Sequence, residues 1–98
     1  MNRIIEWDDA KDEANDRKHG IRFEEAAWVF DDPLAVSVQD RIENGEQRWQ
    51  TVGLVGGCLL LVGAHTAYVE VHGVEAEVIR VISARRADRK ERKRYEQG

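Results

Sequence analysis

Arg80 stands in an otherwise apolar run, Val78-Ile79-Arg80-Val81-Ile82. A guanidinium there must reach a sheet edge, a carboxylate or a ligand, because an unpaired buried charge is expensive. Just downstream, Ser83 is a candidate N-cap for a last helix whose first turn would hold Arg85 and Arg86. The helix dipole disfavours cations at that end. Two arginines beside free helix N–H groups would instead make a site for an anion such as phosphate. Ala84, Ala87, Glu91 and Tyr95 recur at helical spacing and share that helix's inner face. Glu91 there wants a cation, which Arg80 or Arg48 could supply. His65 shares one face of a long strand with Leu61, Gly63 and Ala67. Its side chain is the one whose ordinary titration falls near neutral pH.

Other chemistry is not signalled. The chain has no CxxC, HxH or HExxH spacing, and three scattered histidines with one cysteine make no metal-ligand pattern. There is no Walker loop, dinucleotide fingerprint or nucleophile elbow. No metal and no cofactor is expected. The glycines at 53, 56, 57 and 63 lie within strand patterns and are expected to serve turns.

These residues need elements to hold them. Arg3 to Trp7 suits a short strand. Asp8 is a candidate N-cap for a helix ending before Gly20, with Trp7, Ala10, Ala14, Lys18 and Ile21 as a thin inner stripe. Asp9, Asp12, Glu13 and Asp16 would lie on its outer face. Phe23, Ala26, Ala27 and Phe30 predict a second helix, ended by Asp31-Asp32-Pro33. Period-two alternation then begins at Leu34, Val36 and Val38. Turns at Asn44-Gly45, Gly56-Gly57 and Gly73 separate strands over Arg48–Val55, Cys58–Val71 and Glu77–Ala84. A helix from Arg85 to Glu96 closes the chain. The expected class is α+β: two N-terminal helices, an antiparallel β-meander and a C-terminal helix.

Ninety-eight residues, 42% hydrophobic and 35% charged, suit one globular domain over 1–98. The single cysteine excludes an internal disulfide framework, and no signal peptide is read, so the expected location is cytoplasmic. The longest apolar run, Val52 to Ala64, holds four glycines and reads as a hairpin and not a membrane span. The net charge of −4 hides an asymmetry. Ser83–Gly98 carries seven basic residues against three acids, while the remainder carries eight against sixteen. A basic end on an acidic body fits a polyanion at one side and a basic protein at the other.

Taken in order, Trp7-Asp8, Lys11, Asn15, Lys18-His19-Gly20, Phe23-Glu24-Glu25-Ala26 and Val29-Phe30-Asp31-Asp32 resemble the BrnT toxin family. So do Glu46, Arg48, Val52-Gly53, Arg80-Val81-Ile82-Ser83-Ala84-Arg85, Glu91-Arg92 and Tyr95. The resemblance runs from about residue 6 to 95. It implies a type II toxin with a RelE-like ribonuclease fold, neutralised by a BrnA-like antitoxin that carries a DNA-binding domain. DNA would then be reached only through the antitoxin. Relatives often place a basic residue shortly after the His-Thr region, where this chain has His65-Thr66-Ala67-Tyr68.

The implied reaction is metal-independent RNA cleavage, in which the ribose 2′-hydroxyl attacks the neighbouring phosphate and expels the 5′-oxygen. Positive charge must meet the phosphorane, and proton transfer is needed on either side. Arg80 and Arg85 are assigned to phosphate stabilisation and His65 to proton transfer. Arg48 and Tyr95 are further catalytic candidates, and Arg86, Arg89 and Lys90 are candidates for substrate binding. The rival reading is a non-catalytic nucleic-acid- or protein-binding module acting in transcriptional autoregulation.

Overall fold

The computed structural model describes residues 2–98. Strand β1 (Asn2–Trp7) leads into helix α1 (Asp9–His19). A single turn, α2 (Phe23–Ala26), continues as a 3-10 segment over Ala27–Asp31. Four strands follow, β2 (Val36–Glu43), β3 (Glu46–Val55), β4 (Cys58–Val71) and β5 (Val74–Arg86), and then helix α3 (Arg89–Gln97). The sheet order is β1-β5-β4-β3-β2, an α+β architecture. Strands β2 to β5 form the expected antiparallel meander.

The N-terminal half departs from two helices followed by a meander. The short strand expected at Arg3–Trp7 is present as β1, but it joins the sheet in parallel with β5, so the sheet is mixed and not a pure meander. The second helix is one α turn that tightens. Phe23, Ala26 and Val29 recur every three residues, the spacing a three-residue turn aligns, and all are fully buried. The segment lies close over β3: a Cβ at Gly53 would come 2.8 Å from Val29 Cγ1. Gly53 therefore serves close packing and not a turn. Gly63 also lies within a strand, where a Cβ would fall 2.5 Å from Ser83 Oγ.

Helix α1 begins and ends where expected. The Asp8 side chain accepts from the Ala10 N–H, and Gly20 closes the helix at φ 70°. Its attachment is not the expected apolar stripe, since Ala10 and Ala14 are exposed while Asp12 and Asn15 are buried. Asn15 Nδ2 donates to the Ile21 carbonyl at 2.8 Å and the Ala84 carbonyl at 2.9 Å, and its Oδ1 accepts from the Ala84 N–H at 3.1 Å. Pairing of β1 with β5 ends at Trp7↔Val81. Asn15 thus supplies the donor and acceptor that a longer β1 would have offered Ala84. Asp12 accepts from the Phe23 N–H at 2.7 Å and holds Arg22 at 3.0 Å.

Ile21, Phe23, Ala26 and Val29 pack against Leu60, Val62, Val81 and Ala84 of the sheet. The Trp7 ring meets Phe23 edge-on at 6.5 Å. Helix α3 packs against β3 on the opposite sheet face, where Val52 and Leu61 are paired and buried.

The last strand and helix differ from expectation. Strand β5 runs on through Arg86, because β4 still offers Leu60 and Leu61 as partners to Arg86 and Arg85. Ser83 is therefore not an N-cap but a strand residue opposite Gly63, beside a register shift. The helix starts at Arg89 with Asp88 as N-cap. Asp88 and Glu91 form a reciprocal capping box, a pairing Ser83 and Arg86 could not make. Arg85 and Arg86 are consequently not at a helix start, and the anion site expected there is not formed. Among the described residues, no helix is long and apolar enough to cross a membrane.

Candidate active site

Three two-residue turns set the register of the meander. Asn44-Gly45, Gly56-Gly57 and His72-Gly73 all have both residues at positive φ, the geometry that matches strand twist. Counting outward from them pairs Arg41 with Arg48, Arg48 with His65, and His65 with Arg80. Parallel β1 then adds Glu6 beside Arg80. Directly paired residues share a face, so Glu6, Arg80, His65, Arg48 and Arg41 form one row across all five strands. The row lies on the face opposite α1 and α2, since Ile5, Val62 and Val81 point to their core.

Carboxylates are threaded through this row. Glu46, two residues before Arg48, lies 3.6 Å from His65 Nδ1 and 3.6 Å from Arg80 Nη1. Glu6 Oε1 accepts from Arg80 Nε at 3.3 Å. Asp40 sits at the register shift of β2, where its Oδ2 meets Arg48 Nε at 3.5 Å and Gln50 Nε2 at 3.3 Å. Bulges re-aim side chains in this way near functional sites. The Arg80 side chain is 48% exposed, so it needs no burial to exist in an apolar strand. A cleft of about 160 Å³ is lined by Asp40 and Gln50 together with Val38, Gln39 and Arg94 of α3.

Arg80, His65 and Arg48 are therefore brought together, and Arg85 and Tyr95 are not. Arg85 pairs with Leu61, four β4 positions from His65 and thus ~13 Å along the strand. Its guanidinium makes two 2.9 Å bonds to the Glu91 carboxylate and donates to the Arg86 carbonyl. Hydrogen bonding to Glu91 raises the Arg85 pKa. The partner of Glu91 is thus Arg85, and neither Arg80 nor Arg48 is needed for it. Tyr95 donates to Asp32 Oδ2 at 2.7 Å. Asp32 also accepts from the Leu54 N–H at 2.8 Å and the Leu34 N–H at 2.9 Å. The Leu54 bond, then those of Tyr95 and Leu34, lower the Asp32 pKa. The bond to Asp32 in turn raises the Tyr95 phenol.

Arg86 pairs with Leu60 and lines a cavity with His19 and Gly20, on the side away from the row. Arg89 and Lys90 are exposed in the first turn of α3. Sequence reasoning missed Glu6, Asp40, Gln50 and Arg94, and gave Glu46 no role. Glu46 and Arg48 share a face by simple alternation, and the turn positions alone would have placed His65 between Arg48 and Arg80. Glu6 carried no comparable signal, because a parallel partner is not announced by any turn.

Within this row, Arg48, Arg80 and His65 together can hold a phosphodiester and move a proton. Among the described residues, no three His, Cys, Asp or Glu side chains are grouped to hold a metal ion. No curated protein matches the chain. A family model does, over residues 7–91, which include α1 to β5, every member of the row but Glu6, and the Arg85–Glu91 pair. That family is described as "Ribonuclease toxin, BrnT, of type II toxin-antitoxin system", and the chain belongs to it.

Proposed function

We propose that the chain, acting as one RelE-like domain, cleaves RNA without a metal ion at the Arg48–His65–Arg80 row. The protein is a ribonuclease toxin with an RNA substrate and an antitoxin partner. The observation that carries the site is the register that brings three separate strands' Arg48, His65 and Arg80 side by side on the sheet face opposite α1 and α2.

In this reading the substrate phosphate lies over Arg80 and Arg48, which meet the charge that grows on the phosphorane. His65 takes the proton of the 2′-hydroxyl as it attacks, and the 5′-oxygen leaves and takes a proton from solvent. Glu46, beside Nδ1, orients the imidazole and balances its charge once protonated. The two arginines and the imidazole supply the positive charge at the site, with no basic side chain at Ala67 or Tyr68. Arg85 and Tyr95 support the site by fixing α3. Arg89 and Lys90 contact flanking phosphates, and Arg86, on the other face, can meet only RNA that wraps the sheet. The antitoxin is BrnA-like with a DNA-binding domain, DNA is bound only through it, and the toxin acts in the cytoplasm.

The test is cleavage of RNA by the purified toxin in excess EDTA, with the ends analysed. Cleavage leaving 2′,3′-cyclic phosphate is expected. Activity lost on chelation and restored by a divalent ion would overturn the metal-free route. RNA left intact by soluble wild-type toxin would favour the non-catalytic module.

A further inference from the structure

The charged row is bordered by an aliphatic patch on the same face. From His65↔Arg80 toward the β4–β5 turn, the pairs on that face are Ala67↔Val78, Val69↔Ala76 and Val71↔Val74, with Ile4 beside Val78. Ile4, Val69, Val71 and Val74 are 41, 39, 43 and 51% exposed. The reverse side of the same hairpin carries Tyr68, Glu70, Glu75 and Glu77. Such alternation belongs to a strand pair with one face covered. Here α1 and α2 lie on the opposite face, and α3 packs on β3 beyond the row.

We propose that this patch, with Arg80 at its border, is the docking surface for the antitoxin. The docking segment is amphipathic, with an aliphatic stripe that lies on the hairpin and a carboxylate that reaches Arg80. The inference rests on the row being the catalytic site. A protein that neutralises the toxin by covering this row finds apolar surface directly beside it, and in Arg80, half-exposed and held by Glu6 and Glu46 only at 3.3 to 3.6 Å, a guanidinium that a further carboxylate can reach. RNA is the weaker occupant: the patch has no aromatic ring for base stacking, and its reverse side is acidic. A segment seated here occupies the phosphate position over Arg80 and blocks cleavage by contact.

The decisive comparison uses the purified antitoxin encoded with the toxin and the toxin double variant Val71→Glu with Val74→Lys. Opposite charges directly across the strands keep the hairpin paired. The variant should bind antitoxin at least a hundredfold more weakly, while the free variant cleaves RNA within twofold of wild type. Its melting temperature should stay within a few degrees of wild type. Ile4→Lys, on another strand, should weaken binding too and guards against a misfolded hairpin. Glu70→Lys on the reverse side should bind as wild type does. Antitoxin affinity within threefold of wild type for both patch variants overturns the proposal. So does a loss of cleavage with unchanged antitoxin binding, which would make RNA the occupant. A free toxin that sediments as a dimer, split by the same substitutions, overturns it in favour of a second copy. Inactive wild-type toxin would sink the catalytic reading separately, because the affinity comparison does not depend on cleavage.

Discussion

Arg80 and Arg85 lie on one face of β5, and their surroundings assign them different work. Arg80 meets Glu6 and Glu46 in loose, exposed contacts of 3.3 to 3.6 Å. Such pairs contribute about 0–1 kcal/mol. Arg80→Ala should therefore leave the melting temperature within a few degrees. It should slow RNA cleavage on the order of a hundredfold, the effect of a lost transition-state contact of about 3 kcal/mol. Arg85 makes a bidentate pair with Glu91, whose side chain is 11% exposed. Breaking it on one side costs about 1–2 kcal/mol after allowing for the half-open guanidinium. Arg85→Ala should lower the melting temperature by roughly 5–15 °C in a domain of this size. Calorimetry and cleavage rates on the two variants check this. A stable, inactive Arg85→Ala beside an unstable, active Arg80→Ala would reverse the assignment.

At the scale of elements, two polar side chains stand where strands stop. Asn15 completes the backbone pairing of Ala84 beyond the end of β1, and Asp32 does the same for the Leu54 N–H beyond the last β2–β3 pair, Val36↔Val52. Asn15→Ala would leave buried backbone groups of Ala84 and Ile21 without partners. We expect a loss of about 2–4 kcal/mol, read by urea denaturation. A change under 0.5 kcal/mol would show that water replaces the amide. Asp32 ties Tyr95 of α3 to β3, and its pKa lies below the ordinary 3.8. A lowered carboxylate stabilises the fold above its ordinary value and loses that contribution as pH falls through the folded value. Tyr95, raised above 10.0, acts oppositely: its contribution holds below the ordinary value and fades as pH rises beyond it. The melting-temperature difference between wild type and Asp32→Asn should be flat from about pH 5 to 9 and shrink below about pH 4. A difference that grows on acidification would contradict the bond network.

For the whole molecule, the division of charge is the feature expected to steer an RNA. The basic end sits in α3 and the end of β5, while the first helix carries Asp9, Asp12, Glu13 and Asp16. RNA should therefore approach from the α3 side of the row's face. Replacing Arg89 and Lys90 by glutamate should raise KM about tenfold at low salt while kcat stays within twofold. The difference should narrow as ionic strength rises. An unchanged KM across salt concentrations would remove α3 from the path of the RNA.

What could be read from the sequence was what nearby residues impose on each other. Asp8 and Gly20 bound α1 because a side-chain acceptor and a left-handed residue are local requirements. Three turns, each closed by a glycine at positive φ, carry enough register to place Arg48, His65 and Arg80 in line. The end of β5 was not legible, because Ser83 and Asp88 are both good N-caps. Pairing with Leu60 and Leu61 chose between them. The same holds for Arg85, whose partner depended on where α3 began. Glu6 reached Arg80 only through a parallel pairing across 74 positions, and Asn15 reached Ala84 across 69. Such contacts carry no local pattern. They form because a folded sheet presents open backbone groups that must be matched, and sets a half-exposed guanidinium beside whatever the tertiary fold brings alongside.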